Sequence, residues 1–328
     1  MTHPQRPAAT PAPRPAPSTT SARTPLALGG GAYLLWGILP LYFPLLAPAG
    51  AVEIIGHRVV WSLGFCLLLL AVTRGWAPLR AVFHTPSTLA LLSLAAALVA
   101  VNWTTYVYGV LSDQVVDTAL GYFINPLVTV LIAVFALGER LRPTQWVALG
   151  CGAGAVVVIT IGYGRLPWIA LTLACTFGLY GFLKNRVGRT VTAVAGLAVE
   201  TTALFPFAAG YLIWLGATGT GSFGAHGPWH LAALMSAGVV TAVPLLMFSS
   251  AARRLPLSVI GLLQYITPTM QFLLGVLVLR EQMPTARWWG FALVWLALVI
   301  LTVDGVRAGR AGSLARRGVA RPARRWAR

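Results

Sequence analysis

Four groups of polar residues interrupt otherwise apolar sequence, and their types limit the chemistry open to the chain. Glu53, His57 and Trp61 recur at i, i+4 and i+8 on one helical stripe, with Arg58 beside them in AVEIIGHRVVWSLGF. Asp117, Tyr122 and Asn125 precede Pro126. Asn102, Trp103 and Tyr106 end another apolar run, and Glu200 stands next to Thr201 and Thr202 in AVAGLAVETTALFPF. Such groups bind protons, pair charges and hydrogen-bond a solute. They do not assemble a catalytic centre, because the histidines His3, His57, His84, His226 and His230 lack carboxylates at metal-binding or acid-base spacing and no Gly-rich phosphate loop is present. No cofactor, metal or catalytic residue is expected. An integral-membrane lipid-modifying enzyme is the weaker reading, and a pseudo-symmetric channel is a closer rival to a carrier.

The elements that position these groups follow from composition. With 57% hydrophobic and 9% charged residues and a mean hydropathy of +0.77, the chain cannot hide its apolar surface in a soluble fold of this size. Stretches long enough to cross a hydrocarbon core of about 30 Å begin near Ala27, Ala51, Pro86, Val115, Pro143, Pro167, Ala193, His230, Pro256 and Trp288. The expected fold is all-α and membrane-embedded, with ten transmembrane helices. Residues 1–25 read as a disordered leader, without the compact hydrophobic region or cleavage site of a signal peptide. Residues 307–328 read as a basic tail.

A charge near the bilayer centre costs roughly 2.5 to 3.5 kcal/mol on insertion scales, so the polar groups above need a reason to be there. Basic residues report orientation, since short loops rich in Arg and Lys stay cytoplasmic. Ten spans with an internal N-terminus place 20 of the 24 basic residues inside and Arg165, Arg280 and Arg287 outside, leaving Arg58 in the membrane. Both termini are therefore expected in the cytoplasm, in a multi-pass protein of the cytoplasmic (inner) membrane. The net charge of +17 points to anionic lipid headgroups at the inner loops and tail and not to nucleic acid, because no aromatic-studded basic domain lies outside the spans. Cys66, Cys151 and Cys175 read as small buried hydrophobes.

Residues 120–159 have a second copy at 262–301, displaced by 142 positions, which aligns Pro126 with Pro268, Glu139 with Glu281 and Trp146 with Trp288. Five spans per half force the second half to enter the membrane inverted, so residues 26–162 and 163–306 are expected to form two inverted five-helix repeats. The same offset brings Arg58 onto Glu200, opposite charges that would bracket a central site, with a structural ion pair or separate interhelical hydrogen bonds as the alternative. Pro126 and Pro268 each remove a backbone hydrogen bond and are candidate hinges. Glu139 and Glu281 read as helix-end ion-pairing residues beside Arg140, Arg142, Arg280 and Arg287. Among the aromatics, Trp36, Trp61, Trp103, Tyr122 and Tyr265 are candidates to line a cavity.

The segments AYLLWGILPLYF, EIIGHRVVWS, ALGYFINPL, LGERLRPTQW, AVETTALFP and TAVPLLMFSSAARRLPLSVIGLLQYITPT together resemble RarD-type permeases of the EamA group in the drug/metabolite transporter superfamily. The resemblance runs from about Ala27 to Asp304. It implies a permease that moves a small metabolite or drug-like solute by alternating access, as relatives export amino acids and other metabolites. By position in these motifs, it implies a cavity of Trp36, Glu53, His57, Arg58, Trp61, Asn102, Trp103, Tyr122, Asn125, Glu200, Gln264 and Tyr265. Asp117 occupies a position where the family pattern leads one to expect Glu, which keeps the charge and shortens its reach.

Overall fold

A computed structural model describes residues 20–138, 140–187, 191–252 and 254–319, and all regular structure among them is helical. Helices satisfy every backbone group within their own segment, which apolar surroundings require. Helix α1 (Thr20–Gly37) continues after a bend of 43° into α2 (Leu39–Tyr42) and a 3-10 turn, Phe43–Leu46. Pro40 and Pro44 lack the N–H groups that a straight helix would need here. The next elements are α3 (Ala51–Thr73), α4 (Trp76–Phe83), α5 (Pro86–Leu111), α6 (Val115–Leu137) and α7 (Pro143–Tyr163). The chain proceeds through α8 (Trp168–Val187), α9 (Ala193–Thr218), α10 (Gly227–Ala252), α11 (Leu257–Leu263), α12 (Ile266–Leu273) with a π turn Leu274–Val278, and α13 (Thr285–Val319).

Each predicted apolar run is helical. Among the described residues, eight helices are long and apolar enough to cross a membrane, and the bent α1–α2 pair makes nine. Helix α8 falls outside that set; Lys184 and Arg186 in its last turn lower its apolarity. Two boundaries differ from expectation. Helix α1 takes in residues 20–25 of the predicted leader, and α13 runs on to Val319 within the predicted tail. Extending a packed helix needs only propagation, which is far easier than nucleation. The rest of the leader and tail lies outside the described residues, as does Glu139. Of the cysteines, Cys66 is buried, Cys151 half-buried and Cys175 exposed, so the reading of Cys175 as a buried residue is corrected.

Helix α3 packs on α9 and α10, α5 on α8 and α9, α6 on α8 and α12, α7 on α13, and α1 on α10 and α12. Glycines allow two of these crossings to bring backbones together. A Cβ on Gly121 of α6 would lie 2.7 Å from the Ala170 carbonyl oxygen of α8, and one on Gly238 of α10 would lie 2.8 Å from the Ser62 nitrogen of α3. The buried core joins Phe43, Ile54, Val59, Tyr106, Val107, Ile169 and Leu234, so the polar residues described next sit inside tightly packed apolar walls.

Candidate functional site

Arg58, on the second turn of α3, is 5% exposed. Its Nε donates to Thr241 Oγ1 of α10 at 2.6 Å, and its guanidinium lies 4.2 Å from the Trp103 ring centroid and 6.0 Å from that of Phe43. Its Nη1 is buried without an acceptor among the described residues. A ladder of rings runs on from here: Phe43 meets Tyr106 at 5.9 Å, Tyr106 meets Tyr122 at 5.8 Å, and Tyr122 meets Phe177 at 5.8 Å. Asn102 ties α5 to α8 through Nδ2, which donates to Leu173 O and Thr176 Oγ1, while its Oδ1 accepts from Tyr122 at 3.2 Å. Gln271 of α12 donates to the Tyr106 hydroxyl at 2.8 Å and leaves Oε1 unpartnered. Trp36 offers its carbonyl to the same amide at 3.4 Å, and its ring packs on Tyr33 and Phe248. Asn125 Oδ1 is likewise buried and unpartnered.

Glu200 is buried, and its partner is Lys184, whose Nζ donates to Oε1 at 2.6 Å; Tyr180 donates to Oε2 at 3.3 Å. Arg58 and Glu200 therefore make separate interhelical hydrogen bonds and no pair with one another. Glu53 accepts at Oε1 from the Ser222 nitrogen and hydroxyl, at 2.7 and 2.8 Å, and so holds the α9–α10 loop over the start of α3. His57 stacks on Phe223 of that loop with ring centroids 4.7 Å apart, and Trp61 lies beyond the same ring at 6.4 Å. Glu53, His57 and Trp61 thus share one side of α3, as their spacing predicts, and that side packs against this loop.

Asp117 does not stand free. Arg287, which the charge count placed in an external loop, is buried in the first turn of α13 and donates to Asp117 Oδ1 at 2.9 Å. Glu281 accepts from the Val115 and Val116 nitrogens at the start of α6, where the helix dipole favours an anion, and lies 3.8 Å from Arg287. Its expected ion-pairing role is what the geometry contains. Burial nevertheless pushes the Glu281 carboxyl up to about 7, against the downward pull of the two N–H groups and Arg287, with Asp117 adding to the rise. A carboxyl raised in the folded state takes up protons on folding, so its contribution to stability is greatest below the ordinary carboxylate range and declines as pH rises through about 7. Melting curves between about pH 5 and about 8 are expected to show this decline in the native chain and a flatter profile in Glu281→Gln.

Gln264 and Tyr265 form the turn between α11 and α12. Tyr265 lines an open apolar groove of about 410 Å³ with Phe123, Phe272 and Trp295, apart from the Arg58 cluster. The two candidate hinges behave differently. Helix α6 runs unbroken through Pro126, whereas its counterpart breaks just ahead of Pro268 and ends in the π turn.

Residues 25–161 match the EamA-like transporter family. Protein RarD of Streptomyces exfoliatus is 51% identical to this chain over 88% of it and 91% of that protein. The chain belongs to the EamA-like transporter family, among its RarD-type members. An uncharacterized transporter of Vibrio cholerae is 42% identical over 92% of this chain and 99% of that protein, and Protein RarD of Escherichia coli K12 is 39% identical over 85% and 94%. A crystal structure at 21% identity shares the fold, with a TM-score of 0.56 over 88% of this chain and 99% of that chain.

This EamA-like protein is thus a multi-pass membrane transporter. Several residues of its polar centre carry little sequence signal. Thr241 looks like any hydroxyl in an apolar helix, and Lys184 reads as an inner-loop charge. Gln271 was detectable as a lone amide in an apolar span, a placement that demands a partner.

Proposed function

We propose that this transporter carries a small solute across the cytoplasmic membrane by alternating access between two inverted five-helix halves, residues 26–162 and 163–306, with both termini cytoplasmic. The observation that carries this reading is that the buried hydrogen bonds around Arg58 cross from one half to the other: Arg58 to Thr241, Tyr106 to Gln271, and Asn102 to Thr176. A site built at the repeat interface is remodelled whenever the halves rock. Helix packing supports the repeat, because its partnerships occur in equivalent pairs under the 142-residue offset. Helix α3 meets α10 as α9 meets α5, and α5 meets α8 as α10 meets α1. Pro268, just after the α11–α12 break, is the bending point of the second half, and its repeat equivalent Pro126 lies within the unbroken α6. Trp36, Arg58, Asn102, Trp103, Tyr122, Asn125 and Glu200 surround the path, with Gln271 added. Glu53, His57, Trp61 and Asp117 bind the helices at one end of it, and Gln264 and Tyr265 border the neighbouring groove. Anionic lipid headgroups contact Arg74, Arg80, Arg140, Arg142, Arg186 and Arg254, while Lys184 is taken by Glu200.

Metabolite profiling of cells with and without the gene selects candidate solutes, and counterflow in proteoliposomes tests them. A carrier gives saturable, trans-stimulated flux, reduced roughly tenfold or more in Arg58→Lys and Glu200→Gln. Unsaturable flux marks a channel, and full transport in both variants refutes the central role of these charges.

A further inference from the structure

Every buried acidic side chain among the described residues already has a donor. Glu53 holds Ser222, Asp117 holds Arg287, Glu200 holds Lys184, and Glu281 holds the start of α6 together with Arg287. Among the described residues the buried Lys and Arg side chains are Arg58 and Arg287, and of these two only Arg287 has carboxylates within 4.0 Å. Arg58 is thus a buried cation whose surroundings are neutral: the Thr241 hydroxyl, the Trp103 and Phe43 rings, and the tyrosines 42, 106 and 122 around its charge. A charge taken out of water without a counter-charge is strongly unfavourable, and aromatic faces with one hydroxyl compensate only part of that cost. The buried, acceptorless Nη1 gives the deficit a direction, since a planar guanidinium offers paired N–H donors that suit a carboxylate.

We propose that Arg58 is the docking point for a single carboxylate on the carried solute, with Trp103, Phe43, Tyr106 and Tyr122 taking its apolar body. The cargo class is small organic monocarboxylates. One uncompensated positive charge is balanced by a monoanion; a dianion leaves an excess negative charge in an apolar wall. A free ammonium on the solute finds no uncommitted carboxylate, which disfavours amino acids. The assignment rests on the transport reading above for the word cargo, though not for the binding step.

The test uses the full chain purified in detergent, with intrinsic tryptophan fluorescence and thermal shift as readouts. The probes are benzoate, 3-phenylpropanoate and hexanoate, each against its own amide, with phenylalanine as the zwitterionic comparison. At least one acid is expected to bind roughly tenfold or more tighter than its amide and than phenylalanine, with the preference lost in Arg58→Gln. Arg58→Lys keeps the charge without the planar fork, and is expected to weaken the acid while leaving the amide unchanged; it decides the matter if Arg58→Gln does not yield folded protein. Three acids that bind no better than their amides, or a preference that survives both substitutions, would overturn the assignment. Counterflow with the bound acid separates the two readings. An acid that binds through Arg58 and is not carried refutes transport of that class and leaves the site intact, whereas saturable flux of phenylalanine or the amides, indifferent to Arg58, leaves transport intact and removes the carboxylate.

Discussion

Arg287→Met is expected to destabilise the transporter by about 3 to 5 kcal/mol, the range seen when one partner of a buried ion pair is removed. The methionine keeps the arginine's apolar stem but stops short of the guanidinium, so the packing of the stem is kept while the contact with Tyr163, whose ring centroid lies 4.8 Å from the guanidinium carbon, is weakened. What is lost is the charge facing Asp117 at 2.9 Å and Glu281 at 3.8 Å. Both carboxylates are then buried at the start of α6 with only backbone donors for Glu281 and none from a side chain for Asp117. The check is the melting temperature of purified Arg287→Met beside the triple variant with Asp117→Asn and Glu281→Gln. If the cost is uncompensated charge, the triple variant recovers much of it. Equal loss in both would mean that Arg287 acts through packing.

Gly238→Val is expected to be the most disruptive small substitution in the α3–α10 crossing. Even a Cβ at this position overlaps the Trp61 carbonyl and sits 2.8 Å from the Ser62 nitrogen, and backbone cannot move aside as a flexible side chain can. Overpacking of this kind costs about 1 to 3 kcal/mol and more where the neighbour is rigid. Thr241 lies one turn along the same helix, so the separation of α10 from α3 also draws Thr241 away from Arg58. Loss of stability is therefore expected together with weakened solute binding. Gly64 and Gly210, where a Cβ meets nothing within 4 Å, serve as controls and should accept alanine within about 1 kcal/mol. A Gly238 variant as stable as those controls would show that the helices separate easily.

The difference between the two kinds of residue in these predictions explains what could be read in advance. Apolar length is a one-dimensional property, so the ten long apolar runs could be located from the chain itself, most within a few residues of their helix starts, whereas the short α4 and the break between α11 and α12 could not. The Glu53, His57 and Trp61 stripe was legible for the same reason, because periodicity of 3.6 residues lies within one helix. Family motifs were legible because many residues in order make a specific pattern. Helix ends were less so, as α1 and α13 show by extending into segments whose composition reads as coil.

Pairing was beyond reach of the chain alone. The 142-residue offset marked Arg58 and Glu200 as equivalent positions, and equivalence says nothing about contact. The folded protein gives Glu200 to Lys184, Asp117 to Arg287 and Glu53 to Ser222, over separations of 16, 170 and 169 residues. Only after those partners are assigned does Arg58 emerge as the buried charge left over. The sequence by itself determined that this is a helical membrane transporter of the EamA-like family and that Glu53, His57, Arg58, Asn102, Asp117 and Glu200 enter its apolar interior, though not Thr241, Gln271 or Arg287. Tertiary structure alone decided which of those charges are neutralised, because neutralisation depends on distances of a few ångströms between helices that the chain order does not specify.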